Sequence, residues 1–287
     1  MMISTRLRKA AGMFRKTLVF AAMVIGGLLI FVPKGLSQHG GEDVLSLGVV
    51  PQQASERLAR QWIPLANYLS EKTGLKIEFS TAPDIPEFEK RLAAGEYDVA
   101  YMNPYHFTVY NEDPGYTAVV RQRDHFLRGI IVVPATLEVE SLAGLTGLDL
   151  AFPAPNAFAA TLITRAFLNN IAPGYTATFV RSHDSVYRAV ANGIFAGGGG
   201  ILRTFNEIDP EIRSKLEILW ISPGYIGHAV AAHPTVPDKT RLSLQNALIE
   251  VGDSEKGQKI LEELGIKGFQ VAYDADWNEV RALGLDQ

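Results

Sequence analysis

The sequence predicts an α/β protein of two lobes, each a doubly wound mixed sheet with flanking helices. Segments patterned as strands alternate with helical segments from residue 44 to residue 264. At Gly95–Tyr110 a short apolar strand runs into Asn103-Pro104 and then into polar and aromatic side chains. In an open α/β sheet the binding crevice lies at the carboxyl ends of buried strands, where such polar and aromatic side chains can line it. The length of 287 residues suits two such lobes.

The first lobe is predicted from a β-α-β-α-β pattern, in which glycines at 74 and 95 end the two helices. Two further strands follow, and the β-branched stretch Gly129–Val133 should be central. The predicted strands are Val44–Val50, Leu75–Ser80, Tyr97–Met102, Thr117–Arg123 and Leu127–Pro134, and the predicted helices are Ser55–Thr73 and Ile85–Ala94.

The second lobe repeats the alternation, and the chain then returns to the first lobe. We predict a first lobe at residues 41–134, a second at 135–225, and a return with C-terminal helices at 226–287. The glycines at Gly197–Gly200 should allow close backbone approach or give a hinge its freedom. The predicted strands are Leu148–Phe152, Thr176–Val180, Glu217–Ile221 and Ala229–His233, and Gly197–Leu202 is a short strand or a turn. The predicted helices are Ala157–Asn170, Ser182–Asn192, Lys239–Val251 and Lys256–Leu264.

Residues 1–40 are typical of an export signal. A basic head precedes the apolar run Thr17–Val32, and Gly35-Leu36-Ser37 supplies small residues for cleavage. We expect a cleaved signal peptide and a mature chain that starts near Gln38–Glu42. The apolar run is long enough that an uncleaved inner-membrane anchor is the alternative. Either way the rest of the chain is expected to be periplasmic.

Composition and motifs argue against several other functions. The formal net charge of −4 gives no support to a nucleic-acid partner, and the absence of cysteine excludes thiol chemistry and a lipid-modified cysteine. There is no G-x-S-x-G or H-E-x-x-H motif, and the six histidines lack metal-ligand spacing. We therefore expect no catalytic residue, no metal and no cofactor, and a protein that is not an enzyme.

Segments in a fixed order carry a family resemblance: LGVVPQQ, AYMNPYHF, RGIIVV, RSHDSVYRAVANG and SPGYIGHAVAAHPTVP. Together they resemble the periplasmic substrate-binding proteins of phosphate, phosphite and phosphonate ABC importers, which have the type II periplasmic binding fold. The resemblance implies closure of two lobes on a small anionic ligand, delivery to an ABC transporter permease, and no catalysis. We expect a monomer that meets the membrane only through its N-terminal segment or the permease.

Candidate ligand residues follow from strand ends and from the resemblance. Several of them also have a structural alternative. Gln52 could be a solvated loop residue, Tyr105 could pack under its loop and His106 could cap it. His183 could cap a helix, and Arg203 could form a salt bridge between the lobes. The candidates are Gln52, Tyr105, His106, Asn156, Ala157, Phe158, His183 and Arg203.

The anion-binding turn departs from the family pattern. The family carries a Ser-Thr-Ser-Gly turn at the start of a second-lobe helix, whereas this chain has Ala157-Phe158-Ala159-Ala160. An acidic residue expected near Phe195–Gly200 is also missing. The loss of hydroxyl donors predicts weak or no phosphonate binding unless Arg203, Tyr105 or His183 compensates. Delivery of a ligand to an ABC permease is still the expected function, and ligand sensing by a protein tethered through an uncleaved N-terminal segment is the alternative.

Overall fold

The computed structural model describes residues 44–285, so the predicted export signal lies outside the described residues. Thirteen strands occur in this part of the chain. They are β1 Val44–Val49, β2 Lys76–Thr81, β3 Val99–Met102, β4 Thr117–Gln122, β5 Phe126–Leu127, β6 Gly129–Pro134, β7 Asp149–Phe152, β8 Thr176–Phe179, β9 Gly197–Ile201, β10 Leu216–Ile221, β11 Tyr225–Ile226, β12 Ala229–Ala232 and β13 Phe269–Val271.

Ten α-helices accompany these strands in residues 44–285. They are α1 Ser55–Thr73, α2 Ile85–Ala93, α3 Pro104–Glu112, α4 Thr164–Ile171, α5 His183–Ala191, α6 Leu202–Glu207, α7 Pro210–Arg213, α8 Asp238–Ile249, α9 Glu255–Leu264 and α10 Asn278–Arg281. A π-helical segment, Phe158–Ile163, leads directly into α4. None of the helices in the described part of the chain is long and apolar enough to cross a membrane.

Two mixed sheets form the two lobes, which confirms the predicted fold class. The first has the order β13-β4-β12-β3-β1-β2 and the second has the order β10-β6-β9-β7-β8. The strands β1, β2 and β3 are parallel, and β12 is antiparallel to β3 and β4. In the second sheet β7 is parallel to β8 and β9, whereas β6 is antiparallel to β9 and β10.

The chain passes between the sheets twice. It leaves the first sheet after β4 and returns to it at β12, and the small antiparallel pair β5–β11 lies in these two connections. The lobe limits remain predictions, but strand pairing places β6 in the second sheet, although residues 129–134 were assigned above to the first lobe. Adjacency in sequence to β4 does not decide the sheet, because β6 pairs with β9 and β10, which both lie more than 60 residues later in the chain.

Two local expectations were wrong. The sequence predicts a polar and aromatic turn after β3, but these residues form the helix α3, because Asn103 Oδ1 accepts from the His106 backbone N–H at 2.8 Å and Pro104 occupies the first turn. The glycines at Gly197–Ile201 are not a hinge: they form β9, a fully buried strand in the interior of the second sheet.

Candidate ligand-binding site

A small cavity lies in the cleft where the two lobes meet. Its volume is about 10 Å³, which is room for about one water molecule. Both lobes contribute to its wall, so a ligand held there would contact both. The lining residues from the first lobe and the first connection are Val50, Gln52, Ile85, Asn103 and Leu127. Those from the second lobe are Ala157, Phe158, Ala159, Ala160, His183 and Ile201.

The first turn of the helix that begins at Phe158 forms one wall. The first internal hydrogen bond runs from the Thr161 N–H to the Ala157 carbonyl at 2.7 Å, so the N–H groups of residues 158–160 lie before it. The first N–H groups of a helix have no partner within the helix, and together with the helix dipole they favour an anion. The side chains here are methyl groups and a phenyl ring. This wall therefore offers backbone donors and no hydroxyl at positions 157–160.

His183 reaches the cavity from the start of α5. Its backbone N–H donates to the Gln52 carbonyl at 3.0 Å, and its Nδ1 is 3.0 Å from the Thr204 hydroxyl. Burial, aided by the nearby charge of Arg203, lowers the pKa of His183 to about 3. The imidazole is therefore neutral at physiological pH. Ser182 caps this helix by accepting from the Ser185 N–H at 3.2 Å.

Gln52 is a buried connection between the lobes rather than a solvated loop residue. Only 6% of it is exposed. Its Oε1 accepts from Arg203 Nη2 at 2.9 Å, and its Nε2 lies 3.0 Å from His228 Nε2. Because an amide NH₂ group only donates, the His228 Nε2 must accept and its Nδ1 carries the proton.

Arg203 lies behind the cavity wall and is not among the lining residues. Its Nη1 donates to the two carboxylate oxygens of Glu207 at 3.1 and 3.3 Å, within α6. Burial would lower the pKa of the guanidinium, but Tyr101 and Glu207 raise it above the usual value, so Arg203 stays charged. Between the lobes Arg203 donates to the Gln52 amide oxygen, which is a hydrogen bond and not the inter-lobe salt bridge given above as its structural alternative.

The other predicted residues lie around the cavity rather than on its wall. His106 is fully buried, with its Nε2 at 2.9 Å from Glu89 Oε1 and 3.2 Å from Asn103 Nδ2. Tyr105 is partly buried against the core of the first lobe. The carbonyl of Asn156 accepts from Asn103 Nδ2 at 3.1 Å, which joins the two lobes.

Sequence reasoning missed two residues at this site. Asn103 lines the cavity and caps α3, and the Asn-Pro pair after an apolar strand was the signal that could have revealed it. His228 entered the sequence analysis only as one of the six histidines without metal-ligand spacing. It is buried and stacks on Tyr101 with ring centroids 4.8 Å apart and planes 11° apart. Its position just before β12, where the chain re-enters the first sheet, was the available signal.

Further hydrogen bonds hold the lobes together near the cavity. Gln53 Nε2 donates to Glu207 Oε2 at 3.1 Å, and Arg57 Nη1 donates to the Glu207 carbonyl. The Ala54 N–H donates to Asp184 Oδ2 at 3.2 Å. These contacts connect the β1–α1 region of the first lobe to α5 and α6 of the second. The lobes are thus closed on each other.

Two mixed sheets linked by two connections, with an enclosed cavity between them, define a two-lobed solute-binding protein of the type II periplasmic binding fold. A sequence model of the family described as ABC transporter, phosphonate, periplasmic substrate-binding protein matches residues 47–277. The chain belongs to this family, which confirms the resemblance noted in the sequence. The family is one of transport proteins of the periplasm rather than enzymes.

Curated relatives are distant but cover most of the chain. The phosphonates-binding periplasmic protein of Escherichia coli (strain K12) is 22% identical over 259 residues, covering 85% of this chain and 77% of the relative. A probable ABC transporter phosphite binding protein, PhnD1, of Prochlorococcus marinus (strain MIT 9301) is 20% identical over 283 residues, covering 91% and 95%.

Solved structures share the fold. PhnD1 from Prochlorococcus marinus in complex with methylphosphonate superposes with a TM-score of 0.79 at 19% identity, covering 85% of this chain and 97% of that one. A binding protein component of an ABC phosphonate transporter from Pseudomonas aeruginosa gives a TM-score of 0.79 at 19% identity, covering 84% and 85%.

Proposed function

We propose that this chain is a periplasmic receptor that binds a small phosphonate-class oxyanion between its lobes and delivers it to an ABC permease. The observation that carries the proposal is the helix start at residues 158–160, which lines a small cavity shared by both lobes and precedes the first internal hydrogen bond of the helix. No lining residue of this cavity is acidic, so no carboxylate lies on its wall. The names of the relatives favour the same ligand class.

The remaining wall suits a ligand with one apolar group. Ile85, Leu127 and Ile201 line the cavity and present no polar side-chain atom. A phosphonate carries a P–C bond and phosphite a P–H bond, so each has one substituent that needs no hydrogen bond. Phosphate has four oxygens, and an oxygen against an aliphatic wall loses hydration without compensation. We therefore expect methylphosphonate and phosphite to bind more tightly than phosphate.

Isothermal titration of the chain from Glu42 onward with methylphosphonate, phosphite and phosphate tests the proposal. Binding at micromolar concentration or tighter for either of the first two would support it and would show that backbone donors replace the missing hydroxyls. Absence of binding by all three would overturn the ligand class. It would then favour the earlier expectation that the loss of hydroxyls at residues 157–159 abolishes phosphonate binding.

A matched pair of variants isolates the backbone donor. Phe158 is the first residue of the helix, and Ala157 before it is extended at φ −70° and ψ 98°, a conformation that proline tolerates in its predecessor. Phe158→Pro removes both the ring and the N–H, whereas Phe158→Ala removes only the ring. A lost hydrogen bond to a charged group should make Kd of the proline variant about tenfold higher than that of the alanine variant. Equal Kd values would exclude this N–H as a ligand donor.

A tethered ligand sensor is the second candidate function, and the N-terminal segment distinguishes it from a soluble receptor. We propose cleavage near Gln38–Glu42, in line with the basic head and apolar run of residues 1–40. Mass spectrometry of the exported protein should find a terminus in that range in the periplasmic fraction. An intact Met1 or Met2 terminus in the membrane fraction would instead favour the sensor.

A further inference from the structure

Gln52 has an amide hydrogen that the protein itself does not satisfy. The residue lines the ligand cavity and is only 6% exposed. An amide NH₂ group has two hydrogens to donate. One goes to His228 Nε2 at 3.0 Å, and within residues 44–285 no other acceptor bonds the Gln52 Nε2. Because the large majority of buried polar groups are hydrogen-bonded, the second hydrogen needs an explanation.

Both ends of this amide are held, so its orientation is fixed. Its Oε1 accepts from Arg203 Nη2 at 2.9 Å, and a guanidinium only donates. A half-turn of the amide would place its NH₂ group against the guanidinium, donor against donor. At the other end burial keeps the pKa of His228 well below its ordinary value, so the imidazole is neutral and accepts. The amide oxygen therefore faces the second lobe and the amide nitrogen faces His228.

Arg203 has no direct place on the cavity wall, and its contact with a lining residue is made through Gln52. The guanidinium is held from behind, since Nη1 donates to both carboxylate oxygens of Glu207 at 3.1 and 3.3 Å. Arg203 is not among the lining residues, whereas Gln52 is. A charged donor on the amide oxygen polarises the amide group, which makes its N–H a stronger donor. The buried charge can therefore act at the cavity without touching a ligand.

We infer that Arg203 and His228 are positioning residues, which orient the Gln52 amide so that its second N–H donates to an oxyanion held at the cavity. This inference rests on the proposed function, because it names a side-chain donor at the same site. Gln52 follows β1 in the first lobe, whereas the helix start at residues 158–160 belongs to the second. An oxyanion between them is thus bonded from both lobes, which couples binding to closure.

A double-mutant cycle tests whether Arg203 acts through Gln52. Gln52→Met keeps the length of the side chain and removes the amide, so it should raise Kd for methylphosphonate or phosphite about tenfold. Arg203→Met removes the donor that holds the amide, and it should raise Kd about three- to tenfold. The double variant should bind no more weakly than Gln52→Met alone, because without the amide Arg203 has nothing to position.

A conservative variant keeps the cycle usable if Arg203→Met does not fold. Arg203→Lys retains the positive charge but lacks the planar fork that bonds Gln52 and Glu207 together. It should raise Kd less than Arg203→Met does, and its effect should also vanish in the Gln52→Met background.

Gln245→Met is the matched control, because it makes the same change of residue in α8. The Gln245 Nε2 donates to the Val119 carbonyl at 2.8 Å, and Gln245 is not among the residues that line the cavity. This variant should lower Tm of the ligand-free protein by about 2–4 °C and leave Kd unchanged.

The outcomes separate this inference from the proposed function. An unchanged Kd in Gln52→Met, with a wild-type protein that binds, overturns the donor role of Gln52 and leaves the proposed function in place. Additive effects of Gln52→Met and Arg203→Met overturn the positioning role, because Arg203 would then act independently of the amide. Failure of the wild-type protein to bind methylphosphonate, phosphite and phosphate overturns the proposed function and this inference with it.

Discussion

At the scale of single residues, the site combines a charged guanidinium with neutral imidazoles. Burial and the charge of Arg203 lower the pKa of both His183 and His228, the latter well below its ordinary value. Both histidines are at most 1% exposed. The charge of Arg203 therefore lies behind the cavity wall, and the two imidazoles serve as neutral hydrogen-bonding groups.

The depressed pKa of His183 predicts an acid-sensitive protein. In the unfolded chain a histidine titrates near 6.5, whereas His183 in the folded protein titrates at about 3. Between these values the unfolded state binds the extra proton, so the stability that is fully present above pH 6.5 falls as pH decreases toward 3. Urea unfolding from pH 7.5 to pH 4.5 should show a slope of up to about 1.4 kcal/mol per pH unit from this residue.

The variant His183→Asn provides the control for that measurement, because asparagine does not titrate. Its free energy of unfolding should be lower at pH 7.5, since the Thr204 contact is lost, but it should fall less steeply with acid. If the free energy of unfolding fell equally steeply with acid in the wild-type protein and in the variant, His183 would not titrate as its burial implies.

The sequence predicted some site residues and missed others for an identifiable reason. Ala157, Phe158, His183 and Gln52 line the cavity, and each follows a strand or begins a helix, which the local pattern reveals. Asn103 and His228 depend on partners far along the chain: Asn103 bonds a residue 53 positions away and His228 one 176 positions away. A single sequence does not show such pairings. The roles of all these residues toward a ligand remain predictions.

At the scale of secondary-structure elements, β9 is the strand that lets the second lobe pack closely. A β-carbon at Gly199 would clash with the Ala160 carbonyl oxygen and lie 2.7 Å from the Phe152 ring. One at Gly200 would overlap the Tyr187 ring, whose hydroxyl accepts from the Ile201 N–H at 3.1 Å. The glycines thus bring the helix that begins at Phe158 and α5 against the sheet of their own lobe.

Gly199→Ala should therefore disturb both the fold and the site. The added methyl group meets backbone, which yields less readily than a flexible side chain, so we expect a loss of about 1–3 kcal/mol in the free energy of unfolding. Gly252→Ala is a suitable control, because its nearest neighbour would be the Leu261 Cδ1 at an ordinary 3.4 Å. Thermal unfolding of the two variants tests the point. Equal melting temperatures would mean that the helix shifts away from β9 without cost.

Periodic elements were predicted well, and elements defined by a cap or by close packing were not. Helix α1 has the predicted bounds, Ser55–Thr73, because Leu58, Trp62, Leu65 and Leu69 form a buried stripe and Gly74 takes the left-handed conformation. Helix α3 was missed because its apolar and polar residues show little helical periodicity, and only Asn103 and Pro104 mark its start. The π-helical turn at Phe158–Ile163 has no sequence signature that this chain alone reveals.

At the scale of the whole molecule, closure does not depend only on a ligand. The bonds of Gln53 and Arg57 to Glu207 cross the cleft away from the cavity lining. They stabilise the closed arrangement, whereas entry of a ligand into an enclosed cavity requires opening. The connections that contain β5 and β11 are the places where the chain can bend, because within residues 44–285 only they join the two sheets.

The cross-cleft bonds therefore set the balance between open and closed forms. Without a ligand, the double variant Gln53→Ala with Arg57→Ala should have a larger radius of gyration by small-angle scattering than the wild-type protein, and saturating methylphosphonate should reduce it again. Arg60→Ala is the matched control, since Arg60 lies one turn further along α1 and pairs with Glu56 of its own helix at 2.6 Å. It should leave the radius unchanged. A double variant as compact as the wild-type protein without ligand would show that the residues around Gln52 and Asn103 suffice to hold the lobes together.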